Sequence, residues 1–202
     1  MAEWAVLCPG PSLARARIIQ ADPDCMVAVN GGIVSPFDVK YWTLMDVECL
    51  ESCYRAMGAS RLHHVLDRTI LWAPERFNDD LLGSDLHVSQ DLREFYLNCL
   101  VEPWPMNPRE ALCERMPAWC KQIDWRLSTL TVAIALVILR DPQLSIICCY
   151  GVDWSGDSYH VPAIANVRTD LSERRFQLEQ VIFEQARDAL ASQGKQLERV
   201  RC

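Results

Sequence analysis

Most of the features that announce a protein's function are absent from this sequence. None of its ten cysteines forms a CxxC pair, so no zinc ribbon or thioredoxin-type redox motif is present. No GxGxxG run occurs, so any phosphate-binding corner must be built on fewer glycines. No basic run appears, and 20 Lys+Arg against 27 Asp+Glu give a net charge of −7. That excludes a broad nucleic-acid or membrane-surface footprint, though not a locally positive pocket for a small anion. The longest apolar stretch, Leu130 to Leu139, stops at Arg140 and is too short for a membrane span. The N-terminus lacks the pattern of a signal peptide, and there are no internal repeats or low-complexity segments.

What is present is ordinary globular material. Half of the 202 residues are hydrophobic and 23% are charged, enough for one domain over residues 1–202 with a full core. The cysteines at 8, 25, 49, 53, 99, 113, 120, 148, 149 and 202 lie mostly in apolar runs such as Ile146-Ile147-Cys148-Cys149-Tyr150. They read as buried, reduced thiols and point to a cytoplasmic location. Cys49 and Cys53 lack the second pair that a metal site needs.

Hydrophobic patterning sets the fold class. Trp4–Cys8, Cys25–Val29 and Val39–Met45 are short apolar runs that stop at Pro9-Gly10-Pro11-Ser12, at Asn30-Gly31-Gly32 and at Asp46. Helical patterns follow the first and third, over about 11–20 and 47–57, with Gly58 as a stop. Val65 and Thr69–Trp72 are candidate strand material, and 74–82 a short helix. Residues 83–126 carry four prolines and no clear period, and read as a cap or lid insertion. Ser128–Val137 reads as a buried helix, Leu144–Tyr150 as a central strand, and about 170–193 as an amphipathic last helix. Strands alternating with helices give an α/β, Rossmann-like, mostly parallel sheet with helices on both faces. Ligands of such sheets sit beyond the carboxyl ends of the strands, so Gly10, Asn30 and Asp46 belong on one rim, with Asp153 after the late strand.

The first corner suits a phosphate. Gly10 permits close approach, Pro11 starts a helix without losing a bond, and amides from Ser12 onward face outward with the helix dipole behind them. Asp153 lies in Gly151-Val152-Asp153-Trp154, and His160 in the polar Gly156-Asp157-Ser158-Tyr159-His160. A histidine there can act as acid or base near neutral pH.

Gly10-Pro11-Ser12-Leu13 after a first strand resembles two related families: the bacterial sialyltransferases of the Campylobacter type, and proteins like archaeal 6-hydroxymethylpterin diphosphokinase. Val27-Ala28-Val29-Asn30, the helix opening at Ser128 and Gly151-Val152-Asp153-Trp154 follow in the same order, so the resemblance covers roughly residues 4–46 and 126–160. It implies a nucleotide-dependent transferase with a nucleotide-sugar donor of the CMP type and a small-molecule or glycan acceptor, needing no cofactor. Gly10, Pro11, Ser12, Asn30 and Ser128 would then hold the donor. Tyr159 would assist the departing phosphate and His160 would deprotonate the acceptor. Asp153, read from its place on the rim, would orient a ribose, a metal or the catalytic loop.

Two positions depart from the sialyltransferase pattern. Pro9 stands where those enzymes have Asn, and Asp46 where they have Asn near the nucleotide. Asp46 with Asp153 favours an alternative, a diphosphokinase-like phosphotransferase using Mg²⁺. Pro9 favours a third, a non-catalytic nucleotide- or sugar-phosphate-binding protein. No nucleic-acid partner and no membrane span are expected, and the oligomeric state is not legible.

Overall fold

A computed structural model describes residues 2–17, 19, 21–83, 88–104, 110–125, 128–154 and 173–201. Seven strands form a single all-parallel sheet: β1 (Glu3–Leu7), β2 (Met26–Val29), β3 (Tyr41–Thr43), β4 (Ile70–Pro74), β5 (Leu100–Trp104), β6 (Ile146–Tyr150) and β7 (Gln196–Val200). Their order is β5-β4-β3-β2-β1-β6-β7. The chain therefore builds outward from β1 on one side, then returns to lay β6 and β7 on the other. Val6 pairs with Val27 on one flank and with Cys149 on the other. The direction of winding reverses between β1 and β6, and in α/β sheets the ligand crevice opens at such a reversal.

Alternation along each strand sends neighbouring side chains to opposite faces. Trp4, Val6 and Cys8 join one core with α5 (Glu110–Arg115), α6 (Thr129–Arg140) and α7 (Glu173–Ala191). Ala5 and Leu7 join the other with α1 (Val47–Ala56), α2 (Ala59–Arg68), α3 (Phe77–Leu82) and α4 (Gln90–Asn98). The fold is thus α/β and Rossmann-like, with helices on both faces. Nine of the twelve α6 residues are buried, which explains why that helix is apolar nearly all round: it lies between the sheet and α7. Among the described residues, no helix is long and apolar enough to cross a membrane.

Several elements differ from the sequence reading. The helix expected over 11–20 is a five-residue 3-10 turn, Pro11–Arg15, because Ala16 is already extended (ψ 114°). Within the turn, only Leu13 supplies a buried apolar side chain, and one such residue cannot hold several helical turns against the sheet. Val65 is the buried residue of α2 rather than strand material. Residues 83–126 do not form a cap alone: α4 and β5 lie among them, and β5 pairs with β4 from Ile70↔Leu100 to Pro74↔Trp104. β7, unforeseen, follows the left-handed turn at Gly194 (φ 68°).

Candidate functional site

At the reversal point the loops after β1 and β6 are laced together. Cys8 N–H donates to Tyr150 O at 2.8 Å, and Gly10 N–H to Gly151 O at 3.0 Å. Ser12 N–H donates to Asp153 Oδ2 at 2.7 Å. The outward amide expected to receive a phosphate is therefore already engaged by a carboxylate of the same chain, in a charge-assisted bond. The helix dipole invoked for this corner is also missing, since a five-residue turn has almost none.

The glycines follow from this lacing. A Cβ on Gly10 would lie 2.2 Å from Gly151 O and 2.5 Å from Asp153 Oδ2. A Cβ on Gly151 would lie 2.2 Å from Cys8 O, and Gly151 also has φ +71°, which side chains rarely adopt. The corner therefore brings Gly10, Pro11, Ser12 and Asp153 together, as the sequence reading required, and the anion it holds is Asp153.

Asn30 and Asp46 stand further along the same rim. Asp46 caps α1, accepting from Cys49 N–H at 2.8 Å, so its carboxylate is committed to the helix start. Asn30 is left-handed (φ 47°) directly after β2. Its carbonyl oxygen accepts from Trp42 Nε1 at 2.9 Å, while its side-chain Oδ1 is buried without a partner. The same condition recurs along the rim. Thr43 Oγ1 at the end of β3, Trp104 Nε1 at the end of β5 and Trp154 Nε1 after β6 are also buried and unpaired. Leaving such a group unpaired costs about 1–3 kcal/mol. Trp154 is itself left-handed (φ 46°), edge-on to Phe183 at 5.5 Å, with the Arg199 guanidinium 4.7 Å from its ring centre.

Ser128 begins α6 as the N-cap of a capping box with Thr131. Its hydroxyl accepts from Thr131 N–H at 3.3 Å and donates to Glu179 Oε1 at 2.8 Å. Burial pushes the Glu179 carboxyl above the usual range, against the opposing effects of the Ser128 hydrogen bond and of Arg175. Cys8, at the end of β1, is held as a neutral thiol by burial first and then by Cys149, Glu179 and Asp153. All nine described cysteines are free thiols. Arg175, one of the basic residues near the start of the last helix, thus acts on a half-buried carboxyl group.

Glu179 is the residue that sequence reasoning missed. Its signal was present: Glu179 lies four residues before Phe183 and shares the stripe of Phe183, Ala186 and Leu190, all three buried. A carboxylate on the apolar face of an amphipathic helix needs a partner, and Ser128 is that partner. Tyr159 and His160 lie outside the described residues.

Set against protein-family models, curated proteins and solved structures, the chain matches none.

Mg²⁺ asks for a particular geometry here. Among the described residues, no three His, Cys, Asp or Glu side chains gather as metal ligands. Asp153 accepts from Ser12 N–H, and Asp46 accepts from Cys49 N–H at the start of α1, so each carboxylate already has a partner within the chain.

Proposed function

We propose that this chain is a nucleotide-dependent transferase, most like a glycosyltransferase with a nucleotide-sugar donor of the CMP type, which binds its donor across the carboxyl rim beside β1. The observation that carries the reading is Asn30: a left-handed residue at the tip of β2, next to the reversal point, with a buried and unpaired Oδ1. An acceptor held there at a conformational cost suits the amino group of a base. In this reading Asp153 positions the corner instead of touching phosphate. Tyr159 and His160 keep the roles that the resemblance implies: assisting the departing phosphate and deprotonating the acceptor.

Thermal shift with CMP, UDP, GDP and ATP, each with and without Mg²⁺, tests the proposal. CMP at about 100 times its Kd adds about 2.7 kcal/mol of stability and requires no metal. Asn30→Gly keeps the left-handed backbone, so its stability stays within about 1 kcal/mol of the parent, while the CMP response weakens about tenfold or more. Stabilisation only by ATP with Mg²⁺ would move the assignment to the diphosphokinase-like alternative. Binding without turnover of any donor would move it to the non-catalytic one.

A further inference from the structure

The β5 side of the sheet carries a concavity of its own. It is a cleft of about 180 Å³ at the β5 edge, between the sheet and the α5 and α6 helices. Arg140, at the end of α6, lines it, about 18 Å along the helix from Ser128, and Leu136, the lining residue of α6 closest to Ser128, is about 12 Å along. Trp72 and Trp104 supply aromatic walls, and Leu136 and Leu139 supply aliphatic ones. A cavity of about 150 Å³ admits benzene, so this cleft takes one ring or a branched aliphatic body, with a short arm.

The polar groups decide what the arm carries. Glu102, the carboxylate of the cleft, accepts from Trp72 Nε1 at 3.3 Å and from Arg140 at 3.4 Å. Its charge is therefore matched by Arg140. Arg115 also lines the cleft and has no hydrogen-bond or ion-pair partner among the described residues. Trp104 is 2% exposed, and its Nε1 donor is unpaired. Among the described residues the cleft thus sets two guanidinium groups, Arg115 and Arg140, against the single carboxylate of Glu102, and adds the Trp104 N–H, which has no partner there. We infer that it binds a small organic anion, a carboxylate on a single-ring or similarly compact apolar body.

The test titrates the full chain with phenylacetate, its neutral amide phenylacetamide and the cation 2-phenylethylammonium, reading the indole N–H resonances of the tryptophans. The Trp104 signal is assigned by its loss in Trp104→Phe. Phenylacetate is expected to saturate below about 10 mM and to move the Trp104 resonance. The amide binds about threefold or more weakly, and the cation does not saturate. Arg115→Gln, on an exposed residue, weakens phenylacetate about threefold and leaves the unfolding temperature unchanged. This keeps the proposal testable if Trp104→Phe does not fold. Absence of saturation, an amide or cation binding as well as the acid, movement of Trp154 in place of Trp104, or an unaffected Arg115→Gln would each overturn it.

Discussion

The β1–β6 corner and the β5 edge of this sheet treat their polar groups in opposite ways. Between β1 and β6, the loops approach so closely that the chain answers its own donors: Gly10 N–H finds Gly151 O and Ser12 N–H finds Asp153. At the β5 edge, the helices stand off the sheet and leave a cleft, with Trp104 Nε1 and Arg115 unanswered among the described residues. The difference is one of distance. Where backbones touch, glycine is required and a carboxylate from the opposite loop fills the space a ligand would take. Where side chains keep the layers apart, donors remain for something else. A glycine corner is therefore no proof of a phosphate site until its amides are shown to be free.

The largest effect should come from breaking the closed region. Gly151→Ala would place a Cβ 2.2 Å from Cys8 O at φ +71°, combining a backbone clash with a disfavoured conformation. We expect a loss of about 3 kcal/mol or more, read by denaturant unfolding as a fall in midpoint at constant slope. A variant as stable as the parent would mean that the two loops can separate, and the contrast with the β5 cleft would disappear. The next effect divides charge from geometry at the same place. Asp153→Ala removes the acceptor of Ser12 N–H and is expected to cost about 2 kcal/mol, whereas Asp153→Asn keeps an oxygen there and costs about 1 kcal/mol. Equal costs would show that the carboxylate charge contributes nothing to holding the corner.

Glu179 sharpens the comparison from the α7 side. Its carboxyl is raised by burial, so the native state holds this proton more tightly than the unfolded chain does. That contribution is fully present below the unfolded carboxyl pKa of about 4.3, and it is lost as pH rises through the higher native value. Stability of the parent should therefore decline over that window, and Glu179→Gln should remove the decline while keeping an acceptor for Ser128. Urea unfolding of both proteins from pH 4 to pH 8 checks this. Parallel stability profiles would place Glu179 in water instead of against Ser128.

The same contrast explains which parts of the fold could be read from the sequence. β1, β2, β3, β4 and β6 are flanked on both sides by other strands, and they show in the sequence as short apolar runs. The two edge strands do not. β5 exposes Leu100 and Val101 and contains Pro103, and of the β7 residues only Leu197 is buried. An edge strand makes contacts on one side only, and its sequence carries half the signal. The corner sequences located the rim but could not reveal that Asp153 closes it, because that bond joins residues 141 positions apart. Ser128 was legible as a helix cap, since capping is local. Its second bond, to Glu179 on another helix, was not.

The smallest effect offers the sharpest comparison, because two tryptophans allow the same atoms to be deleted in both environments. Trp42 is fully buried, and its Nε1 donates to Asn30 O at 2.9 Å. Trp104 is nearly as buried, and its Nε1 has no partner. Trp→Phe removes the same volume and the same N–H at each site, so the packing loss is similar and only the hydrogen bond differs. Trp42→Phe should therefore cost about 1 kcal/mol more than Trp104→Phe, because it leaves the Asn30 carbonyl unpaired, while Trp104→Phe relieves a donor that already lacked an acceptor. Parallel denaturant titrations give the difference directly. A Trp104→Phe variant that loses as much as Trp42→Phe would mean that its indole N–H is already satisfied, and the β5 cleft would then be as self-contained as the corner at Gly10.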